Sequence, residues 1–167
     1  MVIDPQKMGI VNGILTRIQS RKSLYYDFIE SAIHVPWRVT AVIHYRESGL
    51  SLSRHLHNGD PLSARTVHVP AGRPINGEPP FSWQTSAMDA LRLKGLDKVT
   101  DWSLPNTLSI IEGYNGFGYR DYHHMPSPYL WAWSSNYHKG KYVADGKFDP
   151  QAVDQQCGAA VLLKLLS

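Results

Sequence analysis

Acid–base catalysis needs one group that keeps its proton near neutral pH and another that stays ionised beside it. Glu47 and Asp60 are placed for that division. Glu47 follows an apolar run containing Trp37, Val39, Thr40, Val42 and Ile43, and Gly49 closes the run two residues later. A carboxyl at that point has one side toward a core and the other toward a polar loop, and partial burial raises its pKa. Asp60 sits in the turn Gly59-Asp60-Pro61, a wetter place where a carboxylate stays charged. It fits equally well as a plain turn residue before proline. Thr66, further along the same segment, has a hydroxyl that could hold a water together with Asp60. One carboxylic acid to protonate a leaving oxygen and one carboxylate to activate water is the arrangement that cuts glycosidic bonds.

Other chemistries have weaker support. The pairs His55/His57 and His123/His124 lack the i, i+4 spacing of a helical zinc site, and a single cysteine removes a thiolate site. His55 and His57 would share one side of an extended strand, and lining a cleft is the better reading for His57. No metal and no cofactor are expected. Gly116-Phe117-Gly118 is not a dinucleotide fingerprint, and no G-x-S-x-G occurs. Cys157, the lone cysteine, lies in an apolar pattern that predicts a buried thiol. Glu112 could be a second cleft carboxylate, but pairing with a base on the helix is the better reading. Five Trp and nine Tyr are many for 167 residues. Most belong in the core, while Trp83, Trp131 and Trp133 are candidates to stack on sugar rings.

Glu47, Asp60 and Thr66 read E-x12-D-x5-T. This resembles the phage-type lysozymes, whose pattern is E-x8-D-x5-T. The Asp–Thr spacing agrees, and the Glu–Asp gap is longer here. Glu47-Ser48-Gly49 and the later Glu112-Gly113-Tyr114-Asn115-Gly116 also resemble lytic transglycosylases and goose-type lysozymes. Those proteins place a Glu-Ser pair after a helix and a Tyr-Asn-Gly segment beside the cleft. Residues 37–166 look like a compact phage or prophage endolysin catalytic domain. The resemblance implies peptidoglycan as substrate, a lysozyme-like fold, Glu47 as acid, and sugar contacts from Ser48, Tyr114 and Asn115. The expected activity is that of an N-acetylmuramidase. Two alternatives stay open: a lytic transglycosylase, which needs only Glu47 and leaves 1,6-anhydro ends, and a non-catalytic wall-binding or virion module.

The elements that must position these residues read as mainly helical. Asp4-Pro5 caps a first helix with Ile10, Ile14, Leu15 and Ile18 on one face. A second helix spans 23–33 with Leu24, Phe28, Ile29 and Ala32 inward, and Pro36 starts a third. Residues 49–80 are rich in Gly, Pro, Asn and Ser, and the alternation over 64–69 predicts a strand in a small hairpin or three-stranded patch. Ser82 caps a further helix. Another opens at Thr100 or Asp101 and ends at Gly116, Ser127–Tyr137 holds one more, and Asp149-Pro150 caps the last over 150–166. The expected fold class is α+β, mainly α, in one domain over 1–167. With a net charge of +3 and scattered Lys and Arg, the chain lacks the footprint of a nucleic-acid binder. No signal peptide or spanning segment is read. The expectation is a monomer made in the cytosol that acts on the cell wall after release.

Overall fold

In the computed structural model, residues 1–166 are described. A 3-10 turn at Pro5–Lys7 leads into α1 (Met8–Arg21), and a π-turn at Lys22–Tyr26 joins it to α2 (Asp27–Ile33). α3 (Trp37–Ser48) follows, and after a long irregular stretch come α4 (Trp83–Leu93) and α5 (Leu104–Asn115). Short helices α6 (Gly118–His123) and α7 (Pro128–Trp131) precede a hairpin of β1 (Lys141–Ala144) and β2 (Lys147–Asp149), and α8 (Ala159–Leu165) ends the chain. The strands are antiparallel, with Tyr142 opposite Phe148 and an irregularity before Ala144. The protein is thus mainly helical with one small sheet. No helix among the described residues is long and apolar enough to cross a membrane.

The chain divides into two compact units, one made of Met1–Thr16 with Ser103–Ser167 and the other of Arg17–Trp102. In the second, α3 is buried on all faces from Val39 to Tyr45. Val39, Ala41, Val42 and Ile43 are 2% exposed or less, a pattern that marks a core helix rather than a surface one. Tyr26, Ile29 and Ile33 from the second helical segment and Trp83, Ala87 and Leu91 from α4 are buried in the same unit. In the first unit, α8 is buried through Ala159–Leu163 and packs on α7. Gly158 lies so close to Leu130 that a Cβ would fall 2.3 Å from the Leu130 carbonyl oxygen.

Several expected elements fall elsewhere. On α1, Val11, Ile14 and Ile18 are buried and Ile10 is exposed. In the second segment only Ile29 of the expected inward set is buried. Leu24 and Phe28 are exposed, and Tyr26 and Ile33 replace them. The π-turn at Lys22–Tyr26 is the reason, since one extra residue rotates everything after it by about 100°. Residues 64–69 form no strand. The Val67 and His68 N–H groups donate to the Asp60 carboxylate instead, and prolines at 61, 70, 74, 79 and 80 remove other donors. The final helix starts at Ala159 rather than at 150. Asp149 caps only a turn, through the Gln151 N–H. The Asp154 N–H goes to the Tyr137 hydroxyl and the Ala152 carbonyl to the Gly140 N–H, so this backbone is bonded across the unit and not along a helix.

Candidate functional site

The unit Arg17–Trp102 holds most of the chemistry-bearing side chains. Its best-defined local structure is the exit from α3. Gly49 and Leu50 both take left-handed backbone, with φ of 60° and 68°. Gly49 N–H donates to the Tyr45 carbonyl at 2.9 Å, the five-to-one bond of a left-handed helix ending, and Leu50 N–H donates to the His44 carbonyl at 3.4 Å. Arg17 donates to the Gly49 carbonyl at 2.8 Å, a cation at a helix C-terminus. Glu47 projects from this last turn and is exposed, where the sequence predicts a half-buried carboxyl. The burial belongs to its neighbours: residues 39–45 are inside, and the helix rotates Glu47 outward. Ser48 is half-buried and its hydroxyl donates back to the His44 carbonyl at 3.3 Å.

His44 anchors this exit. Its Nε2 lies 2.7 Å from the Ser51 carbonyl and its Nδ1 lies 3.0 Å from the Tyr26 hydroxyl. A carbonyl only accepts, so Nε2 carries the proton and the tyrosine donates to Nδ1. Trp83 stacks on the imidazole at 4.1 Å between ring centroids. Burial pushes the His44 pKa down to about 4 and the Tyr26 hydroxyl well above its usual range. The chain after Glu47 is therefore tied to the core by a neutral imidazole. The sequence offered one signal for it, a histidine inside the apolar run Ala41-Val42-Ile43-His44-Tyr45, where a polar ring must find partners.

Asp60 is an organising residue of the loop. One oxygen, Oδ2, accepts from Val67 N–H at 2.8 Å, His68 N–H at 3.0 Å and the Asn58 amide at 3.2 Å. Oδ1 accepts from His68 Nδ1 at 2.6 Å. Three donors thus converge on Oδ2 and one on Oδ1, so most of the acceptor capacity of the carboxylate is used. These bonds, those from His68 first, hold the pKa far below the usual carboxylate range. Thr66 is spent in the same way: its hydroxyl donates to the Pro70 carbonyl at 2.5 Å and accepts from Arg73 N–H at 2.9 Å. Both side chains, expected as joint water handlers, are engaged in holding the loop together. Short polar side chains bond their own backbone when the loop curls tightly.

Two further expectations change. The side chain of His57 is fully enclosed, with Nε2 2.6 Å from Asp89 Oδ2, and Arg73 grips both Asp89 oxygens at 3.0 and 2.6 Å. Burial lowers the His57 pKa more than Asp89 restores it, so the ring is a neutral donor to Asp89 and lines no cleft. His55 is likewise buried between Ser86 Oγ and the Ala64 carbonyl, at 2.7 Å each. Trp83, 2% exposed against Tyr25, Tyr26 and His44, is a core residue and not a sugar platform. Asp89 and Arg73 were not foreseen, because they pair 16 residues apart with no pattern in the sequence.

The other candidates lie in the unit of Met1–Thr16 and Ser103–Ser167. Tyr114 is buried in the last turn of α5, Asn115 ends that helix exposed, and Trp131 is half-buried at the end of α7. Glu112 is buried and pairs with Arg120 of α6, a base on the following helix and not on its own. Cys157 is fully buried. No group of three or more His, Cys, Asp or Glu side chains able to hold a metal ion occurs among the described residues. No known protein family, curated protein or solved structure matches the chain.

Proposed function

We propose that this protein cleaves the glycan strand of peptidoglycan, with Glu47 as its acid–base group. The reading is carried by the placement of Glu47, a solvent-facing carboxyl on the last turn of a helix buried from Val39 to Tyr45, whose exit is fixed by Gly49, Arg17 and His44. A rigid base under an exposed acid is what positioned proton transfer requires. A bound saccharide would exclude solvent from this carboxyl and raise its pKa toward the range of a general acid.

The occupied oxygens of Asp60 and Thr66 favour the one-carboxylate form of the reaction. Glu47 gives its proton to the glycosidic oxygen as the bond to C1 breaks. The resulting carboxylate then takes the proton of the C6 hydroxyl, whose oxygen bonds C1. No water is consumed, and the product carries a 1,6-anhydro end. The hydrolytic muramidase instead needs a water activated by a second carboxylate, and in this loop Asp60 is already held by four donors.

The test is digestion of purified sacculi followed by mass spectrometry with borohydride reduction. Anhydro ends, one water lighter and inert to borohydride, are the expected result. Reducible muramic acid ends would restore the hydrolase, and reducible glucosamine ends would mean a glucosaminidase. Undigested sacculi that still bind the folded protein would turn the reading to a wall-binding module.

A further inference from the structure

The unit of Met1–Thr16 and Ser103–Ser167 contains a pocket of about 440 Å³, lined among others by Asp4, Lys7, Trp133, Tyr137, His138 and Asp154. It is built where the N-terminal segment pairs with the chain after α7. Asp4 N–H donates to the Trp133 carbonyl at 3.0 Å, Ser135 N–H donates to the Val2 carbonyl at 2.8 Å, and Ile3 bridges Ser134. These bonds hold Trp133 at a φ of 67°, a left-handed conformation that a bulky side chain adopts only under constraint. The constraint sets a half-buried indole in the pocket wall.

Three groups there are available to a ligand. The first is the indole face. The second is the Lys7 ammonium, 5.3 Å from the Trp133 ring centroid, which has no ion-pair partner among the described residues. The third is the exposed imidazole of His138, able to donate and accept. By contrast the Tyr137 hydroxyl is used up between Gly140 and Asp154, and Asp154 faces Lys141 at 3.5 Å. The Lys7 ammonium lies over the indole face; a carboxylate substituent would draw it aside by ion pairing while the apolar C–H face of the same ring takes its place on the indole.

We propose that this pocket binds a carboxylate-bearing amino sugar of the muramic acid type, through stacking on Trp133 and ion pairing with Lys7. The choice of sugar rests on the peptidoglycan reading; the pocket and its three groups do not. It is a binding site formed without Glu47, and it would hold the wall polymer while the acid acts.

The test is isothermal titration of the full chain with N-acetylmuramic acid and, as the analogue without the carboxylate, N-acetylglucosamine. The muramic sugar should bind at least about fivefold more tightly. Lys7→Gln should erase that preference, and Trp133→Gly should weaken both sugars by about tenfold or more. Glycine is chosen at 133 because it tolerates positive φ, so the indole is removed without added strain, and circular dichroism checks the fold. Glu47→Gln should bind like wild type. No binding to wild type, binding indifferent to Lys7 and Trp133, or binding lost with Glu47→Gln would each overturn the proposal. Sacculus cleavage, assayed on the same samples, separates the two readings. Cleavage without sugar binding removes the pocket proposal alone, and sugar binding without cleavage removes the glycosidase alone.

Discussion

Glu47 and Asp60 stand on either side of a polar loop, the first exposed and the second buried, where the sequence predicts a half-buried Glu47 and a wetter Asp60. Glu47 is exposed above a fixed helix end, and Asp60 is enclosed by four donors. Their substitutions should therefore fail differently. Glu47→Gln keeps size and polarity but removes the transferable proton. It should lower sacculus cleavage by about 10²–10⁴-fold with an unchanged thermal midpoint, read by turbidity clearing and scanning calorimetry. Asp60→Asn replaces a charged acceptor by an amide that can accept at only one atom, so the loop over 58–68 loses its closure. The expected outcome is a lowered unfolding midpoint with anhydro products still formed by the folded fraction. Reducible ends in wild type that vanish in Asp60→Asn would return Asp60 to the water-activating role.

At the level of elements, glycine positions decide where helices can approach and stop. Gly158 precedes α8, and its missing Cβ lets that backbone pass against Leu130 of α7. The obstacle is backbone rather than a flexible side-chain tip, so it has nowhere to move. Gly158→Ala should destabilise the protein by about 3 kcal/mol or more, in the upper range of overpacking effects, measured by denaturant unfolding. The π-turn at Lys22–Tyr26 shows the same principle in register. It turns Tyr26 inward to meet His44 and leaves Leu24 and Phe28 outside.

For the molecule as a whole, the buried neutral histidine sets the response to acid. His44 titrates at about 4 in the folded protein against 6.5 in a free side chain. Below 6.5 the unfolded chain takes up a proton that the folded one refuses. The stabilisation is complete above that pH and is lost as the pH falls toward 4. At about 1.4 kcal/mol per unit the loss is on the order of 3 kcal/mol. Asp60, depressed in pKa, adds a second loss at lower pH still, once the unfolded carboxylate protonates. Urea midpoints taken from pH 7 to pH 4 should fall steadily. A His44→Gln variant should start lower and show a flatter profile. A wild-type midpoint that stays level over this range would contradict the buried neutral state of His44.

Local information in the sequence determined the features that depend on neighbours in the chain. The Asp4 and Ser82 caps, the Gly49 stop, the buried character of α3 and of Cys157, and the mainly helical class all follow from capping chemistry and apolar spacing. Only the tertiary structure decided which polar groups were already taken. Asp60 meets Val67 and His68, Thr66 meets Pro70 and Arg73, and His57 meets Asp89. Each partner lies 4 to 32 residues away, and a hydrogen bond leaves no periodic trace in a sequence. The strand read over 64–69 and the helix read over 150–158 failed for the same reason: their backbone donors found side chains and distant carbonyls before they could find each other.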